Sequence, residues 1–250
     1  MEWQDEGLIL SVRRHGERDV ILEAMTRGHG RHLGLVRGGR SARQAPGLQP
    51  GNRVALTWRA RLEEHLGQFT AEPLQSRAGL VLSDPLALHA VMHLASLLRL
   101  MPERQVHGAL YEAADGLCQL LAEPLLLGAV MVRFEVTILA ELGFGLDLSS
   151  CAATGRSEDL THVSPKSGRA VSAGAAEPYR DRLLPLPAFL LGEALEEADS
   201  PAIEAGFRLA GHFLERHLFI PRGLDATATR QPFLVVLRDR LAIASNIAKI

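Results

Sequence analysis

Cysteine is nearly missing from this chain of 250 residues: Cys118 and Cys151 are the two present, in unrelated contexts. That usage argues against a disulfide framework and fits a reducing compartment. No run of about 18 uncharged apolar residues occurs, so no membrane-spanning helix is expected. The opening Met1-Glu2-Trp3-Gln4-Asp5-Glu6 lacks a basic stretch ahead of an apolar run, so no signal peptide is expected either. Aromatics are scarce. Trp3, Trp58 and Phe69 are the only ones among the first 79 residues, which leaves little surface for base stacking. There is no internal repeat and no low-complexity tract.

What is present is a core-forming composition, 47% hydrophobic and 22% charged. The formal net charge of −2 hides an asymmetry. Residues 1–79 hold 12 Arg against 9 Asp/Glu, a net of +3, and residues 80–250 carry −5. From Ala24 to Leu62 there are eight arginines, no lysine and no acid. A basic N-terminal face is the expectation.

Hydrophobic periodicity divides the chain. Leu8, Leu10 and Val12 alternate, as do Val20, Leu22 and Ala24, then Leu33 and Leu35, then Val54, Leu56 and Trp58, with Leu66 to Ala71 a weaker fifth run. Period-two alternation predicts half-buried antiparallel strands. Five short strands in about 70 residues suit a small closed barrel of the OB type. Near Leu82 the period changes to helical, after the cap-and-proline signal Ser83-Asp84-Pro85. Helices are expected over about 84–100, 104–122, 125–142, 187–198 and 201–218, with an irregular Gly/Ser-rich insert over 148–178 and one more helix from about Thr229. The predicted architecture is therefore α+β in two domains. Residues 1–79 form the five-stranded OB barrel, and residues 80–250 form a mainly helical domain.

The arginines carry the functional signal. Guanidinium offers planar bidentate donors to phosphate, and Gly38-Gly39 within Arg37-Gly38-Gly39-Arg40-Ser41-Ala42-Arg43 allows close backbone approach. A mobile loop at the barrel rim is expected, with Arg27, Arg31, Arg37, Arg40, Arg43, Arg53 and Arg59 as candidate nucleic-acid contacts. Because Trp58 is in phase with Val54 and Leu56, it reads as core, and binding should be mainly electrostatic. Catalytic patterns are missing: there is no Gly-x-Ser-x-Gly, and Lys166-Ser167 lacks the glycine of a phosphate loop. His89 and His93 stand at i, i+4, but Ala90 occupies the place of a zincin glutamate. No enzyme activity, cofactor or metal is expected. An RNA-binding or translation-associated OB module, or a pure interaction scaffold, remain alternatives from composition alone.

Several stretches together carry a resemblance. Met1 to Leu10, Gly30 to Ser41, Leu48-Gln49-Pro50-Gly51, Arg133-Phe134-Glu135 with Leu139 to Leu148, and Ser164 to Gly168 are similar, in order, to segments of RecO proteins. The resemblance implies binding to single- and double-stranded DNA and annealing of complementary strands. It also implies a cytoplasmic location at the nucleoid, and partnership with RecR and with the acidic C-terminal tail of the single-stranded-DNA-binding protein, for loading recombinase. Arg133 and Phe134 are then the candidate partner contacts. Many relatives carry a Cys-x-x-Cys … Cys-x-x-Cys zinc element. The matching positions here are Cys151, Thr154, Ser172 and Ala175, so the metal is expected to be lost.

Overall fold

The structure, a computed structural model, describes residues 1–225 and 227–247. Its chain forms two compact units, Met1–Leu121 and Ala122–Ile250. In the first, β1 (Glu2–His15), β2 (Asp19–Thr26), β3 (Gly30–Val36), β4 (Arg53–Arg59) and β5 (Gln68–Gln75) close into a barrel of order β1-β2-β3-β5-β4. All pairings are antiparallel except the short β3–β5 closure at Leu35 and Gln68. This is the five-stranded OB arrangement expected from the alternation.

Two strands depart from the predicted phase. In β1 the register shifts between Ile9 and Ser11, a bulge that switches faces. Ile9 and Val12 consequently pack on the barrel core, while Leu8 and Leu10 are buried outside it, on the strand that packs against a helix. In β3 the buried residues are Gly30, His32, Gly34 and Val36, and Leu33 and Leu35 are only half-buried. Gly34 faces the Phe69 ring so closely that a Cβ would lie 2.3 Å from it, so the ring fills the space a larger residue would claim. His32 sets its edge against Trp58. Alternation was legible here, but not which half of it faces inward.

Helices α1 (Ala78–Ser83), α2 (Pro85–Leu98) and α3 (Gly108–Leu117) belong to the same compact unit as the barrel. Asp84 caps α2 by accepting from the Leu86 amide at 2.9 Å. Buried Glu23 of β2 gathers Arg31, Arg99 and Ser11 at 2.7–2.9 Å. Burial works to raise the Glu23 carboxyl. The hydrogen bonds from Arg99, Ser11 and Arg31 outweigh it and hold the group below the ordinary carboxylate range.

The second unit is built on α4 (Pro124–Glu141), α6 (Ser200–Leu214) and α8 (Thr227–Ile247), with α5 (Ala173–Ala176) and α7 (Ile220–Arg222) as single turns. The insert is less irregular than its composition suggests. β6 (Leu160–Val163), β7 (Ala170–Ser172) and β8 (Leu184–Pro185) make a small sheet of order β7-β6-β8. The helix expected over 187–198 is replaced by two 3-10 turns, Ala188–Leu190 and Leu195–Glu197. Gly192 between them has φ +103, which breaks the helical path.

Candidate nucleic-acid interface

The β1–β2 hairpin and the loop that follows β3 form one structured surface. Gly38 donates its amide to Asp19 Oδ1 at 2.8 Å, and the Arg40 amide donates to the Arg18 carbonyl at 3.0 Å. The Arg40 guanidinium reaches back to the Glu17 carbonyl at 2.6 Å. Gly39 is pressed against Val20, where a Cβ would lie 2.5 Å from its side chain. The loop was expected to be mobile. It is instead a series of turns, closed by the Ser41, Gln44, Ala45 and Leu48 backbones. Buried Leu48 anchors it in the core, and Asn52 donates to the Gly47 carbonyl at 3.0 Å.

This surface is cationic. Arg37, Arg40 and Arg43 on the loop are exposed, and so are Arg13, Arg14 and Arg18 on the hairpin. None of these six is paired with a carboxylate among the described residues. The hairpin arginines lie outside the acid-free run, which Glu23 bounds, and Glu17 and Asp19 stand among them, so charge composition does not single them out. Their signal was the doublet Arg13-Arg14 beside a glycine turn.

The other four candidates stand elsewhere. Arg27 and Arg59 lie at the opposite end of the barrel, because β2 spans eight residues from the hairpin to Thr26, roughly 25 Å of strand. Arg27 pairs with Glu112 at 2.7 Å and covers the Tyr111 ring. Arg59 pairs with Glu2 at 2.8 Å. Each acid raises its arginine's pKa further, and both pairs are exposed. Arg31 is committed to Glu23 and to the Met101 carbonyl. Arg53 joins Arg77 on Asp115. Folding uses these last two.

In the second unit, Phe134 is buried on α4. Arg133 donates from Nε to the Phe189 carbonyl at 2.9 Å, and from Nη2 to the same carbonyl and to that of Glu193 at 3.1 Å. The structure therefore does not present the two side chains on a common open surface.

The residues matching the zinc element do come together in part. The Ser172 amide and hydroxyl both donate to Cys151 Sγ at 3.3 Å. These bonds, with one from Thr154, pull the thiol down to about 6. One sulfur with hydroxyl neighbours does not fit a tetrahedral zinc shell of nitrogen and sulfur ligands. Cys118 is the opposite case, since burial pushes its thiol up to about 12. His89 is half-exposed on α2, whereas His93 is fully buried. Among the described residues, no three His, Cys, Asp or Glu side chains converge in a metal-binding group. No described helix is long and apolar enough to cross a membrane.

Fold and surface together define a class: an OB-barrel protein whose exposed chemistry is a set of guanidiniums on one hairpin and its adjoining loop. Comparison with known proteins narrows this. Residues 1–77 match the family model described as Recombination protein O N terminal, and residues 82–224 match Recombination protein O C terminal. A DNA repair protein RecO from Methylobacterium nodulans is 55% identical over 240 residues, covering 94% of this chain and 98% of the relative. The protein of that name from Mesorhizobium japonicum is 53% identical over 248 residues, covering 99% and 98%. That from Sinorhizobium medicae is 50% identical, covering 99% of each. The chain belongs to the RecO family of DNA repair and recombination proteins.

Proposed function

We propose that this chain is a non-catalytic recombination mediator of the cytoplasm. It binds single- and double-stranded DNA through Arg13, Arg14, Arg18, Arg37, Arg40 and Arg43, anneals complementary strands, and assists recombinase loading on coated DNA together with RecR. The observation that carries the DNA reading is the set of six exposed arginines without carboxylate partners. Guanidiniums not neutralised by the protein are free to replace the counterions of phosphates. If each meets one phosphate, log K against log salt has a slope of about −4 on single strands, at about −0.7 per phosphate. Joint replacement of Arg37, Arg40 and Arg43 by Ala is expected to bring the slope to about −2 and to slow annealing, with the fold intact. An unchanged slope in a salt titration moves the DNA site off this surface.

The partner reading rests on family membership and on α4. Arg133 Nη1 has no partner among the described residues, so it can meet the carboxylate of an acidic tail while the other donors hold the 189–193 segment. Buried Phe134 serves from beneath, as part of the packing that positions Arg133. Arg133→Ala is expected to weaken a peptide carrying the tail of the single-stranded-DNA-binding protein several-fold, and to leave binding to naked DNA alone. Calorimetry with that peptide decides it; equal affinities place the tail elsewhere.

A further inference from the structure

The turns of the loop after β3 do not lie flat on the barrel. On their hairpin side they leave a cleft of about 420 Å³. Val12, Val20, Leu48 and Pro50 give it apolar surface, and Arg14 and Arg40 give it guanidiniums. No acidic residue lines it. Arg14 and Val12 are two apart on β1 and so share a strand face. The Gln49 side-chain amide is fixed by donating to the Ala45 carbonyl at 2.9 Å. Its Oε1 has no partner among the described residues.

We propose that this cleft receives one unstacked nucleobase of a single strand, with Arg14 and Arg40 holding the adjoining phosphates. The inference rests on the DNA reading above and deepens it. The volume lies at the lower end of small-ligand sites, which run from about 300 to 1,000 Å³, and suits one nucleotide rather than a duplex. Apolar walls accept the faces of a base, guanidinium planes can stack on it, and a fixed amide oxygen can accept from its edge. The charge of the surface does not distinguish single strands from duplexes, because both carry phosphates. The cleft does, because a paired base must first leave its stack to enter. A strand gripped in this way keeps its remaining bases free for a complement.

The test uses the full chain, a single-stranded oligonucleotide and its matched duplex. Ala45 lines the cleft, and Ala45→Trp fills it with a ring. Single-strand affinity is expected to fall about tenfold, a loss in the range reported for removing one base stack. Duplex affinity and the salt slope should stay the same. A matching loss on both forms, or no loss on either, overturns the cleft. An independent measurement needs no variant: emission from an oligonucleotide carrying 2-aminopurine rises when the base leaves its stack on the unaltered protein. No rise at saturation overturns the proposal while leaving the electrostatic reading intact. Failure of the unaltered chain to bind either form overturns both.

Discussion

A chain carrying Glu135→Ala is expected to lose roughly 3–5 kcal/mol of stability in its second unit. Glu135 lies on α4 with no solvent exposure, and it receives Arg230 of α8 through two bonds, Nε at 2.7 Å and Nη2 at 3.0 Å. The same guanidinium donates to the Phe207 carbonyl at 2.6 Å and covers the Phe207 ring. Burial works to lower the Arg230 pKa. The Glu135 carboxylate outweighs it and holds the group above its ordinary value. Removing the acid leaves a largely buried guanidinium without its carboxylate, and that stranded charge is the main cost. Arg230→Ala strands the carboxylate instead and should cost a similar amount. The pair replaced together, Glu135→Leu with Arg230→Met, should recover most of the loss, because two apolar side chains need no partner. Thermal melting of the four proteins compares the losses, at between about 2 and 8 °C per kcal/mol for a unit of this size. A single-variant loss below about 1 kcal/mol would contradict this account, being no larger than an exposed pair provides. The pair also gives the end of the chain a role. Arg230 lies beyond the 82–224 match to the family model, yet it closes a two-bond ion pair on the buried Glu135 of the second unit.

The other large effect concerns where the first unit ends. A fragment ending at Leu121 is expected to fold alone, and one ending at Gly79 to aggregate or stay unfolded. Leu8 and Leu10 are buried outside the barrel core, so the shorter fragment exposes them. It also loses Asp115 of α3, which holds Arg77 at 2.7 Å and Arg53 at 3.3 Å. Arg77 is 7% exposed overall and reaches the Gly51 carbonyl as well, so without Asp115 its charge is buried and unmatched. In the full chain, Asp115→Ala should cost roughly 3–5 kcal/mol for the same reason. Circular dichroism and urea titration of the two fragments decide the matter. Cooperative unfolding of the 1–79 fragment with full stability would show that the helices are dispensable. The family models part at 77–82, where the secondary structure changes, whereas the compact units part after Leu121. A change of hydrophobic period marks a change of element. Which elements share a core depends on contacts between residues far apart in sequence.

The same distinction runs through the functional surface. Charge composition pointed to the N-terminal region, and Arg37, Arg40 and Arg43 are where a basic loop was expected. The acid-free run does not act as a unit, because β3 separates Arg27 from the loop of Arg37, Arg40 and Arg43, and β4 returns Arg59 to the Arg27 end of the barrel. Carboxylates distant in sequence then occupy Arg27, Arg53 and Arg59, and Glu23 on the neighbouring strand occupies Arg31. Meanwhile Arg13, Arg14 and Arg18 join the loop across the hairpin, although acids stand beside them in the chain.

The five strands, the switch to helices, the helical starts near residues 84 and 125, and the basic character of the first region are legible in the chain alone. Alternation, caps and charge are properties of neighbouring residues, and neighbours are what a sequence displays. Which arginines remain free, the change of face in β1 at its bulge, the ion pair of Arg230 with α4 and the cleft beside the loop follow from the fold. Each of these depends on a partner on another strand, loop or helix, and an ion pair or a packed ring is fixed by closeness in space, on which local pattern is silent.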